Sequence, residues 1–148
     1  MLGTRIATMI SLAALVAVPA ACGGDDSSDV TKKEFIAKAD AVCKETNDKI
    51  EALVSDLPED TTTEQAAQIT VDKAIPLFRD QIEQLRDLDP PAADADNLEK
   101  LWDDLDASTD ELEQQLKDDP DVAFSEGFDP FTDESKTASD YGFQECGA

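Results

Sequence analysis

The sequence has no histidine. That removes the commonest general base and zinc ligand, and with them every Ser-His-Asp or Cys-His catalytic unit. Glycine is scarce, six in 148 residues, and none stands in a phosphate-cradling array, so a P-loop and a dinucleotide fingerprint are both missing. Basic residues are few: 12 Lys and Arg face 35 Asp and Glu, a net charge of −23. Nucleic acid would be repelled by such a chain. A bundle of this length rarely has room for a cleft that sets two carboxylates to acid and base work, and no nucleophile motif stands beside them. The chain therefore reads as non-enzymatic, with no catalytic residue and no cofactor. Asp94-Ala95-Asp96-Asn97 begins like a calcium loop but lacks the glycine at the sixth place and the later bidentate glutamate, so no metal site is assigned.

What is there begins with an address. Residues 1–21 carry one basic residue, Arg5, and no acidic one. Within them, residues 6–18 (IATMISLAALVAV) form an apolar run too short to span a bilayer comfortably, followed by small residues. That order is a secretory signal. The junction Ala20-Ala21-Cys22-Gly23-Gly24 and its polar continuation resemble a bacterial lipobox, with Pro19 where Leu is usual. The resemblance implies that Cys22 is acylated and becomes the new N-terminus. Residues 22–30 then serve as lipidated cysteine and flexible tether. Ordinary cleavage after Ala20 or Ala21 is the alternative, and would release a soluble secreted protein. Three cysteines leave one over; if Cys22 takes lipid, Cys43 and Cys146 remain as an even pair in an oxidising compartment. A Cys43–Cys146 disulfide is expected.

Residues 31–148 read as one acidic helical domain. Thr31-Lys32-Lys33-Glu34 fits a capping box, and Ile36, Ala39, Cys43, Ile50, Leu53 and Leu57 recur on one helical face with Thr46 breaking the stripe. A second helix opens at Thr61-Thr62-Thr63-Glu64-Gln65, with two overlapping capping boxes. Its stripe runs through Ala67, Val71, Ala74, Leu77 or Phe78, Ile82, Leu85 and Leu88, and Pro76 inside it predicts a kink or a short break. A third covers about 93–117, with Leu98, Leu101, Leu105, Leu112 and Leu116 on one face and Trp102 beside it. A short fourth runs from about Pro130 to Tyr141, with Phe131, Ser135, Ala138 and Tyr141 inward and Gly142 as a left-handed stop. The expected fold is all-α, an antiparallel bundle of four helices stapled by one disulfide.

The run Phe35 to Asn47 (FIAKADAVCKETN), with Asp129-Pro130-Phe131 and Tyr141-Gly142-Phe143-Gln144-Glu145-Cys146-Gly147, resembles small secreted actinobacterial lipoproteins of unknown function. The resemblance implies the same address, helical fold and disulfide, and supplies no catalytic residue. Phe124, Phe128, Phe131 and Phe143 crowd the last quarter of the chain. They either cover the open end of the bundle or form an apolar patch for a ligand or partner. The function expected is that of a lipid-anchored binding module on the outer face of the cell membrane. Its partners would be the membrane, through the acyl chains, and an unidentified envelope protein. The alternative is a carrier of a small apolar ligand beneath the C-terminal aromatics.

Overall fold

Helix α1 (Lys32–Ser55) starts where its sequence satisfies the orphan backbone donors. Thr31 Oγ1 accepts from the Glu34 N–H at 3.3 Å, and the Glu34 carboxylate accepts from the Thr31 N–H at 3.1 Å. The Thr31 hydroxyl, and then its N–H, hold the Glu34 carboxyl below the usual carboxylate range. Of the two boxes available to the next helix, the chain uses Thr62 with Gln65, because the Thr61 hydroxyl is donated to the Pro58 carbonyl at 2.6 Å. The computed structural model describes residues 30–121, 125 and 128–147. The signal segment 1–21, Cys22, residues 23–29 of the tether and Phe124 lie outside the described residues.

α2 (Thr63–Ile69) passes into α3 (Ile75–Arg86) without leaving the helix. The expected kink or break at Pro76 is instead a π turn, Thr70–Ala74, in which the Ile75 N–H reaches back to Thr70 O. Proline has no N–H to donate and crowds the carbonyl four residues back. Widening the preceding turn by one residue relieves that crowding and keeps the helix running. α4 (Ala95–Asp118) and α5 (Thr132–Tyr141) complete a bundle of four rods, with no strand among the described residues. α5 begins after the expected Pro130, because Asp129 Oδ1 accepts from the Phe131 N–H at 3.0 Å and turns the chain first. Its end matches the sequence: Gly142 has φ 117°, and the Gly142 and Phe143 N–H groups both donate to Ala138 O.

The central rod is α3, packed on α1 on one side and α4 on the other, with α5 on α4. Two arginines one heptad apart fix the antiparallel register of α3 and α4. Arg79 reaches Asp110 at 2.7 Å and Glu113 at 2.6 Å; Arg86 reaches Asp103 at 2.9 Å, Asp106 at 2.8 Å and Glu99. These carboxylates raise both guanidinium groups above their ordinary range, Asp110 first for Arg79 and Asp103 first for Arg86. Part of the acidic face of α4 is thus a seam with α3.

The core divides into two clusters. One joins Phe35, Ala39 and Cys43 of α1 to Ile82, Leu85, Leu98, Leu101, Trp102, Ala138 and Phe143. The other joins Ala67, Ile75, Leu112 and Leu116, with Phe78, Phe128 and Phe131 half-buried against it. On α1 the buried face is Phe35, Ala39, Cys43 and Thr46. The expected stripe is therefore corrected at both ends: Thr46 is inside, while Ile36, Ile50, Leu53 and Leu57 are only half-buried. Phe35, one residue before Ile36, carries far more apolar surface and turns the helix its own way.

Candidate functional site

Cys43 and Cys146 are bonded, with Cα atoms 5.1 Å apart. Around that bond the C-terminal tail is fastened to one face of α1. Asp40 Oδ1 accepts from the Gln144 N–H at 2.9 Å and the Glu145 N–H at 3.0 Å, and Asn47 Nδ2 donates to Glu145 O at 3.1 Å. Asp40, Cys43 and Asn47 stand at i, i+3 and i+7, one stripe of the helix. Gly147 closes the clamp: a Cβ there would lie 2.3 Å from Ser139 Oγ, which donates to Gly147 O at 3.1 Å. These are the residues that set the two ends of the domain apart in the sequence, and they hold each other.

Among the described residues the C-terminal phenylalanines divide between the two clusters. Phe143 is 2% exposed and lies in the first cluster, with ring centroids 5.0 Å from Tyr141 and 6.1 Å from both Phe35 and Trp102. Phe128 and Phe131 belong to the second cluster. Tyr141 donates its hydroxyl to Asp94 Oδ2 at 2.8 Å, and Lys32 Nζ sits 3.9 Å over its ring. Burial, and then the hydrogen bond to the Asp94 carboxylate, push the tyrosine's ionisation upward. Among the described residues no three metal-ligating side chains gather to hold an ion, and no helix is long and apolar enough to cross a membrane.

Between the two clusters lies a cavity of about 90 Å³. Phe78 and Phe131, with centroids 5.3 Å apart, form an aromatic corner, and Gln81, Thr109, Ser135 and Glu145 also line it. Gln81 Oε1 is itself buried, with no hydrogen-bond partner within the protein. Thr109 is 1% exposed, and its hydroxyl hydrogen is committed to Leu105 O at 2.7 Å. Of the three described phenylalanines among those singled out from sequence, Phe128, Phe131 and Phe143, only Phe131 lines this cavity. Gln81 and Thr109 were not singled out, yet their signal is in the chain. Gln81 stands between Phe78 and Leu85 at helical spacing, and Thr109 fills the gap between Leu105 and Leu112. Glu134, nine-tenths buried and accepting from Ser108 Oγ at 2.7 Å, was missed likewise; it shares the inward face of Ala138. Comparison of the chain with protein-family models, with curated proteins and with solved structures finds no match.

Proposed function

We propose that this chain is an exported lipoprotein: a disulfide-stapled acidic domain held by acyl chains on Cys22 to the outer face of the cell membrane, where it acts as a non-enzymatic binding module. The observation that supports this most is the Cys43–Cys146 bond. Disulfides persist in oxidising compartments, and the pairing leaves Cys22, behind its apolar run, as the single remaining cysteine. Tethering raises effective concentration at a surface, so weak contacts suffice. The absence of histidine from the sequence supports the non-enzymatic part. The test is metabolic labelling with a fatty-acid analogue. Wild type should carry label and stay with the membrane, and Cys22→Ser should lose label and enter the medium. An unlabelled wild-type protein found in the medium overturns the anchor and favours plain secretion.

A second reading, a carrier of a small apolar ligand, is favoured by the cavity beside Phe78 and Phe131.

A further inference from the structure

We propose that the turn end of the α1–α2 hairpin is a docking surface for a basic segment of a partner protein, one that brings apolar side chains flanked by lysine or arginine. The proposal rests on the binding-module reading and names the chemistry of its partner.

The apolar residues at this end belong to no core. Ile50, Leu53 and Leu57 after the middle of α1 and Ile69 of α2 are half-buried, Val54 is 62% exposed, and none of the five joins either buried cluster. Apolar side chains left together in this way mark an interaction surface, where single exposed ones would need no explanation. The cause lies in the packing. α1 leans on α3 and α2 leans on α4, so the two helices share little contact at their turn. An open groove of about 460 Å³ lies there, walled by Pro58, Gln65 and Ile69. Leu57 adjoins Pro58, its N–H donating to Val54 O at 3.2 Å.

Charge selects the partner. From residue 50 to residue 72 the chain has no lysine or arginine, yet it carries Glu51, Asp56, Glu59, Asp60 and Glu64, all exposed. Among the described residues none of these five carboxylates forms a salt bridge. On α4, by contrast, Asp103, Asp104, Asp110 and Glu113 are met by Arg86, Lys100, Arg79 and Lys117. Uncompensated negative charge around an apolar centre favours a basic partner and repels a second copy of this acidic chain. It repels anionic headgroups as well. Val54 also lies roughly 33 Å along α1 from Lys32, the end of the helix nearer Cys22 in the chain.

The test titrates the disulfide-bonded protein with two synthetic peptides, followed residue by residue by NMR. One is an amphipathic helix of leucine and lysine; the other has serine for every leucine. Expected are saturable shifts centred on Leu53, Val54, Leu57 and Ile69 with the first, and binding of the second weaker by roughly tenfold or more. Val54→Asn, and Glu59→Gln combined with Asp60→Asn, should each weaken the first peptide by roughly fivefold. All three positions are exposed, so the variants should stay folded, as a thermal melt will show. Equal binding of the two peptides, or shifts spread over α4, would overturn the surface and leave general attraction to a chain of charge −23. Shifts at the same residues that grow with protein concentration, without peptide, would overturn the basic partner and seat a second copy there. The same shifts with phosphatidylcholine vesicles, and none with peptide, would seat lipid there instead. Each of these failures is separate from the labelling of Cys22, which decides the anchor alone.

Discussion

Reduction of the Cys43–Cys146 bond is the perturbation whose size follows most directly from the fold. The two cysteines are 103 residues apart, so the bond ties the last residues of the chain to the first helix across almost the whole domain. A closed loop of about 100 residues removes roughly 4.7 kcal/mol of chain entropy from the unfolded state. A domain of this length unfolds with an entropy near 0.25 kcal/mol/K, at about 2.1 cal/mol/K per residue. The ratio puts the fall in melting temperature at roughly 15–20 °C. The native tail keeps its other contacts, the burial of Phe143 and the Asp40 and Asn47 hydrogen bonds, so the reduced protein should stay folded at room temperature. The assay is a far-UV circular dichroism melt of wild type with and without a phosphine reductant, thiols being counted to confirm reduction. The reduced wild type is a better comparison than Cys43→Ala, because Cys43 is 1% exposed and its removal also opens a void. A fall of less than about 5 °C would refute the entropic argument.

Asp40→Ala should destabilise by about 1–2 kcal/mol in urea titration, since it removes the acceptor shared by the exposed Gln144 and the half-buried Glu145 N–H groups; Asp40→Asn, which keeps an acceptor, should recover much of that, and equal losses would sink the clamp. Tyr141 is the only tyrosine, so tyrosinate absorbance reads it alone; its native titration should lie above the usual value of about 10 and return there in urea. Because the folded value is the raised one, stability should be unaffected below about pH 10 and decline as pH climbs from there toward the native value. Arg86→Gln leaves Glu99, Asp103 and Asp106 without their shared cation and should cost about 1 kcal/mol in dilute buffer, less in molar salt; a loss independent of salt would mean packing, not charge. Amide exchange in α1 should be faster over residues 50–55 than over 35–46 by roughly tenfold or more, because Val54 is 62% exposed while Phe35, Ala39 and Cys43 are at most 1% exposed; uniform exchange would contradict that gradient.

The helices were legible because caps and stripes act locally. Thr31 with Glu34 and Thr62 with Gln65 close their boxes within four residues, and Gly142 adopts a positive φ that few other residues tolerate. The disulfide was legible by parity. What sequence hid was rotation and partnership. A stripe drawn through Ile36 and Ile50 differs by one residue from one drawn through Phe35 and Thr46, and only the packing of Phe35 against Tyr141 and Phe143 decides between them. Pro76 announced a disturbance of the helix but not its form, since a π turn leaves no mark of its own in composition. The described phenylalanines of the last quarter divide between the clusters because nearness in sequence says nothing of which cluster a residue joins. Phe143 lies past a left-handed turn that carries it back onto α1, while Phe131 lies before α5 and meets Phe78 of α3.

The cavity and the division of the core have one cause. Each long helix interrupts its apolar stripe with a polar residue: Thr46 on α1, Gln81 on α3, Thr109 on α4. The register set by Arg79 and Arg86 against α4 puts Gln81 beside Thr109, at the seam where one cluster ends and the other begins. Leucine at these places would merge the clusters, fill the space and remove an unpaired acceptor, each a gain in stability. A chain under no demand but folding would drift toward such replacements, because stabilising changes of this kind are readily found. The polar layer is therefore a place among the described residues where the core is not built for stability alone, as is Gln115, whose Oε1 is likewise buried without a partner. Gln81→Leu separates the alternatives: a polar layer that only weakens the core predicts a variant that melts at or above the wild type. A variant that melts well below the wild type would show that Gln81 supports the fold, and the division of the core would then be structural.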